Sequence, residues 1–161
     1  MSYLRFAAMI ATSTVIMYGL MYLNTYQLEH IFYSQTRLWM ALLMGAVMAL
    51  IMLGFMWSMY KKHAVNLAIV GAAVAVFAGS LYLVRSQALV GDIDYMRAMI
   101  PHHSIAVLTS RNANIRDERV RELADGIIEA QIREIDEMKA LIEDLQANPV
   151  PADAPRLPPG Q

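Results

Sequence analysis

Three long apolar runs followed by one amphipathic stretch make up nearly the whole pattern of the chain. Phe6 to Leu23, Leu38 to Tyr60 and Leu67 to Val84 are apolar at most positions. Each is long enough for a helix to cross a hydrocarbon core of about 30 Å, which takes roughly 17 to 25 residues. After Val84 the pattern changes. Gly91 and Asp92 mark a break, and Asp92 is the expected N-cap of a helix running to about Asn112. Asn112 to Asn114 reads as a turn, and Asp117 as the cap of a second helix of about 30 residues ending at Asn148-Pro149. In that helix Val120, Ala124, Ile128, Gln131, Ile135, Met138, Ile142 and Leu145 recur at three- and four-residue spacing, a stripe apolar but for Gln131. The closing segment, PVPADAPRLPPGQ, is proline-rich and has no periodic apolar face, so it is expected to be disordered. The pattern therefore predicts an all-α protein: a membrane domain over 1–90, a helical hairpin over 91–148 and a tail over 149–161.

Composition sharpens this division. The chain is 57% hydrophobic, yet only six charged residues precede residue 91: Arg5, Glu29, Arg37, Lys61, Lys62 and Arg85. From Asp92 onward there are 13 acidic and 8 basic residues. The first apolar run resembles a signal peptide in position, but it is long and no small-residue cleavage site follows it, so it reads as a retained span. Arg5 precedes the first span and Lys61-Lys62 separates the second from the third, which places the N-terminus in the cytoplasm. Three spans then place the hairpin on the outer side. The acidic second part argues against a nucleic-acid partner, and the absence of cysteine excludes disulfides and thiolate chemistry.

Two features of the spans invite a functional reading. Methionines stand at 40, 44, 48, 52 and 56, each step advancing about 40° round a helix. They form either pliable apolar filler or a soft relay for Cu(I). Gly71, Ala75 and Gly79, with Ala72, Ala73 and Ala78 beside them, are expected to let helices approach closely, either within the bundle or between chains. Trp39, Trp57 and Tyr22, Tyr26, Tyr33 and Tyr60 lie near span ends, as interfacial anchors do. Two hairpin helices bury little core alone, so the hairpin is expected to dimerise into a four-helix bundle or to lean on the membrane portion.

The candidate chemistry lies in MRAMIPHH, residues 96–103. On a regular helix Met96, Met99 and His103 fall within about 60° on one face, while His102 lies beside Met99 and away from Met96. Pro101 should bend the helix or mark its first turn. Thioethers favour Cu(I), and imidazole serves both copper oxidation states, so a Met/His set without carboxylates in register selects copper. A surface His-His pair beside core methionines is the structural alternative, and haem with His and Met ligands is another. His30, next to Glu29 in the 24–37 loop, either completes such a site or is interfacial; His63 lies on the opposite side.

Residues 94–145 resemble a bacterial family of ferritin-like helical domains defined by a Met-Ile-Pro-His-His motif, which includes CopM-type copper-binding proteins. The matching features are Met96, Met99 to His103, Ala106, Ile115 to Asp117, Leu123-Ala124, Ile127-Ile128, Gln131, Glu134-Ile135 and Met138. The resemblance implies extracytoplasmic copper binding through Met96, Met99, His102, His103 and Met138. It gives Gln131 a role in orienting a histidine, where a hydrogen bond to backbone or water is the alternative. Longer members carry two hairpins and this chain one, which implies self-association. With no organised nucleophile, phosphate loop or opposed carboxylate pair, an enzyme is not expected. The function expected is a multi-pass bacterial inner-membrane protein with a periplasmic hairpin that binds copper for buffering, resistance or delivery, with lipid, a second copy and copper-handling proteins as partners. A structural or interaction module without metal is the alternative, and passage of copper across the bilayer is a further one.

Overall fold

A computed structural model describes residues 2–151 and 153–158. Every regular element among them is helical: α1 (Tyr3–Leu20), α2 (Gln35–Phe55), α3 (His63–Ser86), α4 (Asp92–Asn112) and α5 (Glu118–Ala147), with single 3₁₀ turns at Leu28–His30 and Trp57–Met59. α1, α2 and α3 are long and apolar enough to cross a membrane.

Local chemistry sets most boundaries. Ser2 and Ser34 cap α1 and α2 by accepting from Leu4 N and Arg37 N. Asp117 caps α5 as expected, accepting from Arg119 N, and Arg119 beside it holds the Asp117 carboxyl below its ordinary range. Asp92 is the first residue of α4 and not its cap. Gly91 takes that place in extended conformation, while Asp92 and Asp94 offset the positive end of the helix. Gln87 ends α3 at φ 51°. Pro101 neither ends nor begins α4. The helix runs through it, with the ring buried and no amide proton to give the Arg97 carbonyl.

α2 is the middle helix of the first three and packs against both α1 and α3. Its buried face is built from small residues four apart, Ala41, Gly45 and Ala49, continued by Leu53. Within the chain close approach therefore comes from α2; Gly71 and Gly79 of α3 have no neighbour within 4 Å of a would-be Cβ, so of their two expected uses the one within the bundle is not found. The five methionines are half-buried beside this face, and Met52 and Met56 fill around the core of Phe6, Ala46, Ala49, Leu53, Tyr60 and Ala73. Tyr60, expected as an interfacial anchor, is instead buried against Tyr3 and Phe6, with ring centroids 4.9 and 5.6 Å away. At the other end, Arg37 donates to the Met21 carbonyl and lies 4.4 Å over the Tyr22 ring, closing α1 onto α2.

α4 and α5 form the hairpin around Met96, Ile100, Ile135 and Ile142, joined by Ile93, Met138 and Leu145. Of the α5 stripe, Ala124, Ile135 and Ile142 are buried and Met138 and Leu145 pack against the core, whereas Val120 is exposed and Gln131 only half-buried. Phe32 joins the same cluster from the segment linking α1 to α2. The hairpin thus leans on the rest of its own chain, one of the two expected solutions. The described part of the tail has no helix or strand, while Ala152 and residues 159–161 of the tail expected to be disordered lie outside the described residues.

A Cβ at position 45 would collide with Thr14 Oγ1, which is held by a hydrogen bond to the Ile10 carbonyl. Gly45→Ala is expected to destabilise the three-helix bundle by about 1 to 3 kcal/mol through overpacking. Thermal unfolding in detergent should show most of that loss recovered in Thr14→Ala/Gly45→Ala. A double variant no better than the single one would place the strain elsewhere.

Candidate functional site

The hairpin opens on one side into a cleft of about 540 Å³. Its lining includes Met96 and Met99 from α4, Met138 from α5, and His103, with Asp92, Glu134 and Glu137 contributing carboxylates. Four of the five residues expected to bind metal are therefore gathered from two helices onto one cleft. His102 is not among them. It is exposed, its ring 6.1 Å from that of His103, as its angular position on a regular helix requires.

His103 is buried and both its ring nitrogens are engaged. Nδ1 lies 3.1 Å from the Met99 carbonyl oxygen and Nε2 2.7 Å from Glu134 Oε2. Both partners are acceptors, so the doubly protonated ring donates to both and the neutral ring keeps only one. A metal at either nitrogen would displace one of these contacts. The Glu134 side chain is 43% exposed, so the pair adds only about 1 kcal/mol or less to stability and its main effect is to fix the ring.

Glu134 is the residue that sequence reasoning missed. The cluster was expected to lack carboxylates in register, yet a carboxylate reaches His103 from the opposite helix. The signal was its place directly before Ile135, at the edge of the inward stripe. Gln131, the polar interruption in that stripe, is half-buried in a different groove, beside Leu123, Ile127 and Ala130. Among the described residues no three His, Asp or Glu side chains come together as a metal-binding group. Any soft site here must draw on thioethers. Val150 and Leu157 of the tail also line the cleft. A larger cleft of about 720 Å³ at the hairpin turn is lined by Arg116, Asp117, Glu118 and Arg121 and holds no thioether or imidazole.

On another side of α4, Ser104 is fully buried. Its hydroxyl accepts from Tyr26 N at 2.7 Å and lies 2.9 Å from His30 Nδ1. The Tyr26 contact leaves the hydroxyl proton for Nδ1 of a neutral ring. Burial, aided by nearby Lys139, pushes the His30 pKa down, against the opposing pull of Glu29 and Asp136. Tyr26 also accepts from Arg111, whose guanidinium lies 4.8 Å over its ring. His30 therefore fastens the loop to the hairpin and does not line the Met/His cleft. His63 opens α3 near Trp57, at the end of that helix remote from α4.

Fold and cleft together define an all-helical protein in which three helices suited to a membrane carry a helical hairpin with a Met/His cleft. Residues 92–158, from the first residue of α4 through the tail residues that line the cleft, match the family model described as a domain of unknown function, DUF305. Over 66 residues the chain is 38% identical to "Uncharacterized protein L153" of Acanthamoeba polyphaga mimivirus. That alignment covers 40% of this chain and 43% of the viral one, so the chain spans less than half the length of the curated relative it matches. No solved structure matches.

The lowered His30 pKa fixes the sign of a pH effect. Above about pH 6.5 the ring is neutral whether the loop is docked or free, and the docking is at full strength. As pH falls from there through the lower pKa of the docked state, the free ring takes up its proton first and docking weakens. Protection of the Tyr26 amide from hydrogen exchange, corrected for intrinsic rate, should be lower at pH 5 than at pH 7.5. His30→Gln should remove that difference. Equal protection of the unmodified protein at both pH values would exclude His30 as the titrating latch.

Proposed function

We propose that this chain is a multi-pass protein of a bacterial inner membrane whose hairpin binds copper as Cu(I), for buffering, resistance or delivery, as a binding protein and not an enzyme. The observation that carries the reading is the convergence of Met96, Met99 and Met138 with His103 on one cleft built from two helices. Three thioethers and an imidazole are a soft donor set that favours Cu(I) over zinc, calcium or magnesium. Glu134 would orient the His103 ring in the manner of an outer-shell carboxylate, and the ring would give up one present contact to take the metal. His102, exposed beside the cleft, would act in capture at its edge. The placement of the basic residues supports an N-terminus in the cytoplasm and a hairpin in the periplasm. Arg5, Lys61 and Lys62 lie at the end of the three-helix bundle where Tyr3 bonds the Lys62 backbone, away from the hairpin.

A second reading, an interaction module without metal, is favoured by the exposed apolar side chains of α5, Leu123, Ile127 and Leu141. Competition for Cu(I) against a chromogenic chelator separates the two. Met99→Ala/His103→Ala is expected to lower Cu(I) affinity by on the order of 100-fold, at least the loss that removing a single outer-shell partner can bring. His102→Ala should cost much less. Equal affinity in the double variant and the unmodified protein would remove the cleft as a copper site and leave the interaction reading.

A further inference from the structure

The chain leaves α5 at Ala147 and does not run on into open space. Ten extended residues would carry position 157 roughly 33 Å beyond the helix end. Leu157 instead lines the Met/His cleft with Tyr95, Met138 and Leu141, so the tail doubles back along the hairpin. Two features set that course. Pro149 and Val150 line a second groove, of about 240 Å³, with Ile93 and Leu145, where the end of α5 lies beside the start of α4. Further on, Asp153 lies in a turn and Ala154 N donates to the Pro151 carbonyl at 3.0 Å.

The composition of the tail suits that seat. From Asn148 onward its only large apolar side chains are Val150 and Leu157, and both line the cleft. Its one basic residue, Arg156, stands next to Leu157, while the cleft carries the carboxylates of Asp92, Glu134 and Glu137. Prolines at 149, 151, 155, 158 and 159 leave the segment little backbone freedom to lose on seating. Leu157 is 84% and Val150 51% exposed, so the tail rests at the mouth of the cleft and has not sunk into it. A large apolar side chain standing in water beside an apolar wall gains by moving inward. Met99 and Met138, half-buried in the same cleft, are the thioethers that this movement covers.

We propose that the tail is a strap that closes over the Met/His cleft, with Val150 at its root and Leu157 as its latch, and that the closed strap shields Met99 and Met138 from solutes in the water. Leu157 lifts to let a ligand enter and reseats behind it, so the strap sets the rate of exchange. Its bearing on metal exchange rests on the copper reading, but its closure over the cleft does not.

Methionine oxidation reads the shielding without any metal. Dilute hydrogen peroxide acting on the full chain in detergent, followed by peptide mass spectrometry, gives a rate of sulfoxide formation at each methionine. Leu157→Glu removes the apolar latch and adds a carboxylate to those of Asp92, Glu134 and Glu137. Met99 and Met138 are then expected to oxidise severalfold faster, with Met59, exposed between α2 and α3, unchanged. Leu157→Ile should keep the original rates. Because the chain contains no cysteine, introduced pairs report without background. Leu141→Cys/Leu157→Cys, oxidised with diamide, is expected to close within one chain and to slow oxidation of both methionines. Leu123→Cys/Leu157→Cys, whose first member lies about 27 Å farther along α5, should not close. Equal rates at Met99 and Met138 in Leu157→Glu and the unmodified protein overturn the strap, and so does equal closure of the two cysteine pairs. Faster oxidation in Leu157→Glu, without Cu(I) binding by the unmodified protein, leaves the strap standing and removes the metal site. Cu(I) binding with equal oxidation rates does the reverse.

Discussion

The hydroxyl of Ser104 is the point on which the two parts of this protein meet. It is fully buried, accepts the Tyr26 amide and faces His30. Without it, the part-buried Tyr26 amide and the buried His30 imidazole would both lose their partner, the second at about 1 to 3 kcal/mol. Phe32, a few residues on, enters the hairpin core beside Met96 and Ile142. A two-helix hairpin is too small to hold a core alone, and this loop supplies its third wall. The Met/His cleft is shaped by that arrangement. The loop covers one side of α4, the Ile100 and Ile135 core fixes the next, and the side carrying Met99 is left open.

This division explains why the adjacent residues His103 and Ser104 do different work. One residue step turns a helical side chain by about 100°. His103 is turned toward Glu134 on α5, and Ser104 toward the loop.

Much of the fold was legible because it rests on local rules. The three apolar helices, the capping by Asp117 and the inward stripe of α5 follow from length, side-chain chemistry and period. So does the separation of His102 from His103. What was not legible depends on tertiary contacts. Within the chain the close-packed small face is Ala41, Gly45 and Ala49 of α2 and not Gly71 and Gly79 of α3, since which small face is used there depends on which neighbour arrives. Pro101 reads as a helix breaker, yet α4 runs through it. The ring is fully buried within the helix. Glu134 sits in sequence as one of many surface acids, and only the antiparallel register of α4 and α5 brings it to His103.

The methionines make the same argument from the other direction. Those of α2 stand at constant spacing, but a step of four residues drifts round the helix, so the ladder does not converge on one point, and Met52 and Met56 pack around the bundle core. Met96 and Met99 are fewer and closer, and they gain Met138 only because α5 folds back against α4. A soft site requires donors from two elements to face one volume, together with a polar group to fix the imidazole among them. Within one chain the α2 ladder lines no common cleft, whereas Met96, Met99, Met138 and His103 do.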